Sequence, residues 1–286
     1  MVLMKVYYEC GACFLRQACE LLDLSSDDEN LKFELMNYTF KYLGDNFDSG
    51  KSPNDLASVF NQHIKKETGC NDPYFRQKEI GTEIAQSMIG HVNGILNEHD
   101  GLETYLKMAI IGNILDFGAF GIDTDVESMM REQLHRPLAI NRINELDKCL
   151  KKHDSALYLL DNTGEILFDK LLVDKIKKYG VHVCVAVKES PIVNDACFDD
   201  ALNAGFEDIV SIGCDSAGIV ESMISDEFRE IFENSGFVIS KGMANYEGIT
   251  EMDLNGKDVF CLLCAKCMPI SKDLNVDLGS LILTKL

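Results

Sequence analysis

No run of about 18 consecutive apolar residues occurs in the chain, so no segment is expected to cross a membrane. The opening stretch from Met1 to Cys13 lacks the long apolar core and small-residue cleavage site of a secretory leader, and the protein is expected to remain in the cytoplasm. Positive charge is scarce: 27 Lys and Arg stand against 47 Asp and Glu, a formal net charge of −20. A nucleic-acid backbone needs a basic face, so this balance argues against such a partner. The basic residues are dispersed, which is compatible with a local basic pocket but not with a basic surface. An acidic protein that handled phosphates would need metal ions and a few placed lysines against its own field; the acidity can equally serve solubility.

Several sequence devices are missing too. No G-x-x-x-x-G-K-S/T loop is present, which speaks against a P-loop nucleotidase. No G-x-G-x-x-G follows the first strand expected in the second half, which weakens a dinucleotide or methyl-donor cofactor. That strand ends in Asp161-Asn162-Thr163-Gly164-Glu165 rather than a D-x-D-x-T/V pair, so an aspartyl-phosphate enzyme of that kind is not supported. There is no G-x-S-x-G nucleophile turn. The six histidines form no metal-like pair, and there is no internal repeat or long linker.

What is present is a core-forming chain: 46% of its 286 residues are hydrophobic, enough for one large or two smaller domains. Its eleven cysteines are expected as reduced thiols that pack as small apolar residues. Two groups stand out. Cys10 and Cys13 form a C-x-x-C, with Cys19 further along; Cys261, Cys264 and Cys267 lie near the C-terminus. A zinc or iron–sulfur site would need four ligands from these, which makes Cys10 and Cys13 candidates for a second metal or redox site. The later group reads instead as a strand and turn with core thiols.

The first half has helical periodicity over Tyr8 to Leu22, Glu29 to Leu43, Pro53 to Glu67, Asp72 to Asn97 and Leu102 to Leu115. Ser52-Pro53 predicts a helix start, and Ser25 or Ser26 the start of the helix before it. The second half alternates. Strands are expected at Ala156 to Leu160, Val181 to Val187, Asp208 to Ile212, Phe237 to Ser240 and Val259 to Leu263, with helices over Ile166 to Lys178 and from Ser225 to Gly236. This pattern predicts a Rossmann-like three-layer α/β/α sandwich with a parallel sheet, preceded by a helical bundle region. The expected boundaries are 1–150, mainly helical, and 151–286, the metal-binding α/β domain.

Open parallel sheets bind ligands beyond the carboxyl ends of their strands. There the sequence places Asp161, Asn162 and Glu165, then Asn194-Asp195, then Asp215-Ser216, then Lys241 and Asn245, then Lys266. Asp161, Asn162 and Asp195 offer hard oxygen ligands for Mg²⁺ or Mn²⁺, which could polarise a phosphate and activate a water. Lys241 or Lys266 could neutralise phosphoryl oxygens, and the helix after Glu165 would aim backbone N–H groups at the same spot. The competing reading is that Asp161 and Asn162 merely cap that helix.

At these residues a family resemblance enters. The segment 161–165, the pair Asn194-Asp195, the G-x-D-S-A-G of 213–218, the K-G-x-x-N-Y-E of 241–247 and the A-K-C of 265–267 together resemble the DUF89 family of metal-dependent damage-control phosphatases. The 112–118 segment and the start from Cys10 to Gln17 are similar to its prokaryotic, C-x-x-C-bearing branch. The resemblance covers nearly the whole chain. It implies a Mg²⁺-, Mn²⁺-, Co²⁺- or Ni²⁺-dependent phosphatase of small phosphorylated metabolites, often damaged ones, with the metal on Asp161, Asn162 and Asp195. Lys241 and Asn245 then contact substrate, Asn113 and Asp116 line the pocket from the helical half, and Glu165, Asp215 and Ser216 complete it. Some relatives carry a phosphate-contacting lysine where Cys264 stands here, with Lys266 two positions on. The implied mechanism is in-line attack by a metal-bound water, favoured over Asp161 as nucleophile because Asp161 is needed as ligand. A carboxyl methyltransferase and a non-catalytic metal- or phospholigand-binding protein are the alternatives. The oligomeric state and the natural substrate are not legible.

Overall fold

The computed structural model describes residues 3–114 and 126–286. Ahead of the first strand come helices α1 (Cys10–Ser25), α2 (Glu29–Asn46), α3 (Pro53–Thr68), α4 (Phe75–Glu98), α5 (Leu102–Ile114) and α6 (Val126–His135). Strand β1 (Leu138–Asn141) and helix α7 (Ile143–Lys152) follow. Then strands and helices alternate: β2 (Ser155–Leu159), α8 (Ile166–Lys177), β3 (His182–Val187), α9 (Phe198–Asn203), β4 (Ile209–Ser211) and α10 (Asp226–Asn234). The chain ends with β5 (Phe237–Lys241), α11 (Met243–Glu251), β6 (Val259–Cys264), α12 (Met268–Leu274) and β7 (Leu281–Lys285).

Local chemistry explains where these helices begin and end. Proline fits the first helical turn, which has no use for its missing N–H, and Pro53 opens α3 there. The same helix stops at Gly69, whose φ of +68° suits a residue without a side chain. Helix α2 is capped by Asp28, whose carboxylate accepts from the Asn30 and Leu31 amides. The serines expected in that role turn elsewhere: Ser25 donates back to the Leu21 carbonyl, and Ser26 accepts only from the Asp28 amide.

The seven strands form one sheet in the order β1-β7-β6-β5-β2-β3-β4. Every neighbouring pair is parallel except β6 with β7, which is antiparallel. The two strands not expected from the sequence, β1 and β7, extend one edge. Because β1 lies before residue 151, the sheet draws on both halves of the chain. The central strands β5 and β6 are buried throughout, as their unbroken apolar runs require when both sheet faces are covered. Alternate residues of β2 serve the two faces. Ala156 and Tyr158, with Leu160 just beyond the strand, pack under α5, α7 and α8, while Leu157 and Leu159 pack under α10, α11 and α12.

The helical half is not one bundle. Helices α1, α2 and α3 share their own core around Phe14, Leu21, Phe60 and Ile64. Helices α4, α5 and α6 instead pack with Phe168 of α8, so α5 is both a covering helix of the sheet and a link to α4. Among the described residues, no helix is long and apolar enough to cross a membrane.

Candidate active site

The sheet reverses its winding at β2. From there the chain runs outward to β3 and β4, then returns to β5 on β2's other side. A crevice forms at such a switch point, beyond the carboxyl ends of the strands. Asp161 follows β2 into that crevice and Lys241 ends β5 beside it.

The Asp161 segment does not cap α8. The capping position belongs to Glu165, and no side chain makes a capping bond there, which removes the bland explanation for Asp161 and Asn162. Instead the loop is stitched to the one after β3. Asn162 and Asp195 form an isolated antiparallel bridge, the Ala196 amide donates to the Asp161 carbonyl at 2.8 Å, and the Thr163 amide donates to the Asn194 carbonyl at 2.9 Å. Val193, one residue before Asn194-Asp195, sits at φ +47°, a conformation costly for a β-branched side chain. It is held there by packing against the α1–α3 core.

Around the two loops lies a dense set of buried charges. Asp161, Glu165, Asp169 and Asp195 are all buried, as are Lys188 and Lys241. Lys241 donates to Glu165 Oε1 at 3.1 Å and to Asp169 Oδ1 at 2.7 Å, and Tyr158 donates to the same Asp169 oxygen at 2.7 Å. Lys188 lies 3.4 Å from Asp195 Oδ2 and donates to the Gly218 carbonyl. From α5, Asn113 Nδ2 donates to Asp161 Oδ2 and to Glu165 Oε2, each at 2.7 Å. Asn162 Nδ2 donates to the same two oxygens at 3.2 and 3.0 Å, which leaves its Oδ1 out of these bonds.

Four buried carboxylates meet two buried lysines, and the cluster is short of positive charge. Burial, then the charges of Glu165 and Asp195, push the Asp161 carboxyl well above its ordinary range. Burial also raises Asp195, with Lys188 pulling the other way. Burial pushes Asp169 up to about 6 despite Lys241. Burial lowers the Lys241 pKa, but Asp169 and Glu165 override it and push it up, so the lysine stays charged. Backbone shape joins in: Gly242, at φ +82°, lies so close that a Cβ there would stand 1.8 Å from Asp161 Oδ2.

The other expected residues divide. Lys266 is exposed, its charge acts on Asp161, and its amide donates to Met243 Sδ at 3.3 Å. Asn245 is buried and spends its amide hydrogens on the Leu160 and Lys241 carbonyls, each at 2.9 Å, bracing the ends of β2 and β5. Asp215 is engaged by α3, accepting from Gln62 at 2.7 Å and Lys65 at 2.9 Å. Ser216 is buried and donates to the Gly218 carbonyl at 2.9 Å. Asp116 lies outside the described residues. Cys10 and Cys13 share the first turn of α1, and all the cysteines are free thiols. Among the described residues no third His, Cys, Asp or Glu donor joins them within 4.8 Å. Cys261 and Cys264 are core thiols on opposite faces of β6.

Asp169 and Tyr158 were not expected at the site; Lys188 was expected at the end of its strand but was given no role there. Asp169 stands four residues after Glu165 on α8, a spacing that puts both on one helix face. A carboxylate inside an otherwise apolar stripe was the available signal.

The comparisons with known proteins identify the family and the fold. The damage-control phosphatase ARMT1-like domain matches residues 6–282. An uncharacterized protein of Methanocaldococcus jannaschii is 35% identical, covering 98% of this chain and 95% of its own length. The damage-control phosphatase PH1575 of Pyrococcus horikoshii is 31% identical, covering 98% of this chain and 97% of its own. The crystal structure of that DUF89 family protein superposes with a TM-score of 0.89 at 30% identity, over 99% of both chains. The chain therefore belongs to the DUF89 family of proteins with a damage-control phosphatase ARMT1-like domain.

Proposed function

We propose that the protein is a divalent-metal-dependent phosphatase of small phosphorylated metabolites, with the metal held by Asp161, Asn162 and Asp195. One observation carries the reading. The buried cluster at the switch point gathers four carboxylates around two buried lysines, with Lys78 and Lys266 acting on Asp195 and Asp161 from its edge, a set of close acids that a divalent cation would hold in their ionised form. The donors are hard oxygens, suited to Mg²⁺, Mn²⁺, Co²⁺ or Ni²⁺. Such a cation neutralises phosphoryl oxygens and lowers the pKa of a water.

The chain's own residues supply placement. Asn113 and Asn162 fix Asp161 and Glu165, Lys188 fixes Asp195, and Gly242 admits Asp161 against the backbone. Lys241 is fully buried and committed to two acids, so we assign it to positioning. Lys266, exposed beside Asp161, is the residue that receives phosphoryl oxygens. Helix α3 borders the pocket through its bonds to Asp215, and Asn54 on the same helix donates to the Ala244 carbonyl at 2.8 Å. Substrate selection then depends on surfaces from both halves.

The test is phosphate release from sugar phosphates, nucleotides and phosphopantetheine-like compounds. Metal-stripped protein is assayed with and without each of the four metals. Metal-stimulated release that falls by about 10²–10³-fold in a folded Asp161→Asn variant is expected. Release that survives this substitution would sink the site assignment. Silence with every metal in folded, metal-loaded protein would sink the phosphatase reading and favour a non-catalytic binding role.

A further inference from the structure

We infer that Cys149, His153 and Asp258 form a second metal site, for an ion of the zinc class, at the opposite end of the sheet from the phosphatase cluster. Cys149 lies on the last turns of α7, His153 is that helix's C-terminal capping residue, and Asp258 immediately precedes β6. Their ligand atoms, one each, all lie within 4.8 Å of one another. Among the described residues this is the group of His, Cys, Asp or Glu donors that meets that distance.

Each ligand is set up by its surroundings. Cys149 and His153 are four residues apart, so the helix presents both on one face. The Asp258 carboxylate is divided between two roles: Oδ1 pairs with Lys285 at 2.6 Å, and Oδ2 accepts from the Cys149 thiol at 3.2 Å. A carboxylate ligand commonly has its second oxygen held in this way. The His153 ring rests tilted against Phe237, with centroids 6.0 Å apart. Gly236 makes space for it, since a Cβ at that position would stand 2.7 Å from the His153 Cβ. A half-open cavity of about 370 Å³, lined in part by His153, Gly236, Lys257 and Asp258, lies beside these residues and gives solvent access to two of the three. The carbonyls at the end of α7 add negative potential where a cation would sit.

The donor set also selects the ion. Thiolate, imidazole and one carboxylate suit a tetrahedral, borderline-soft cation and do not suit Mg²⁺. Binding forms an Sγ–metal bond in place of the Sγ–H bond, and the proton leaves to solvent. The imidazole and the carboxylate bind through lone pairs, and no group changes oxidation state.

The test is a Co²⁺ titration of metal-stripped, reduced, full-length protein. A thiolate-to-cobalt charge-transfer band in the near ultraviolet requires a sulfur ligand, so the oxygen-only phosphatase site does not contribute. The band is expected in the native protein and in Asp161→Asn, saturating at one ion per chain with proton release. It should persist in Cys10→Ser/Cys13→Ser, vanish in Cys149→Ser, and weaken in affinity by about 10–100-fold in His153→Gln. If Cys149→Ser does not fold, Asp258→Asn replaces it with the same expected weakening. No band in folded native protein, or a band indifferent to Cys149, His153 and Asp258, would overturn the inference.

Discussion

The two ends of one sheet are chemically opposite. At the carboxyl end, acids from β2, α8 and the loop after β3 converge with two buried lysines, and all are hard oxygen or ammonium groups. At the amino end, a thiol, an imidazole and one carboxylate gather where α7 stops. The difference follows from chain direction. In parallel strand–helix units, helices begin near the carboxyl ends of the strands and finish near the amino ends. Helix N-termini favour anions such as phosphate, and C-termini favour cations. On the proposed function, an added cation would hold the acids of the carboxyl end together; at the amino end the last carbonyls of α7 add negative potential, while Lys152 and Lys285 act on Cys149 and Asp258 from the other side.

The largest effect expected on that contrast comes from Lys241→Met. It strands Glu165 and Asp169 in the core and should cost about 3–5 kcal/mol in urea unfolding of metal-free protein. A loss under about 1 kcal/mol would mean that the acids are not held as an ionic cluster. Next, Gly242→Ala pushes a methyl group into Asp161 and strains a backbone at φ +82°. It should destabilise by about 2–3 kcal/mol and abolish metal-stimulated turnover together. Normal turnover in that variant would break the claimed contact.

Smaller effects sharpen the assignment of roles. Lys266→Ala should lower kcat/KM by about 10–100-fold with stability unchanged, the reverse of the Lys241 pattern. Equal behaviour of the two lysines would erase the distinction between a substrate contact and a positioning residue. Last comes Glu247 on α11, whose carboxyl is pushed up to about 8 by burial, then by Asp273. An acid with a raised folded-state pKa contributes full stability below its ordinary value and loses it as pH rises through the raised one. Thermal stability should thus fall between about pH 4.5 and 8 on this group's account, and Glu247→Gln should flatten that fall. The gain in Tm should be largest near pH 8 and absent at pH 4.

Much of this arrangement was legible in the sequence, for identifiable reasons. The strands from β2 to β6 announced themselves as apolar runs, and their ends pointed to Asp161, Asp195 and Lys241. The edge strands did not. Leu138–Asn141 has four residues between charged helices, and Leu281–Lys285 is a short run that pairs antiparallel with β6 and parallel with β1. Neither is recognisable until its distant partner is in place. The helical half looked like a uniform bundle because periodicity reports which face is apolar, not what covers it. Only the packing separates α1–α3, with their own core, from α5, which lies on the sheet.

Local pattern by itself determined the helix and strand alternation, and with it the end of the sheet where hard ligands collect, because side-chain periodicity and strand-end chemistry are short-range properties. The tertiary structure alone decided which lysine is buried and which is open to solvent, since Lys241 and Lys266 are the same residue type in similar strand-end settings. It also brought Asn113 from α5 and Asp169 from inside α8 onto the charge cluster. And it placed Asp258 against Cys149, 109 residues away in the chain. Such contacts depend on how elements distant in sequence pack, and no local signal carries that information.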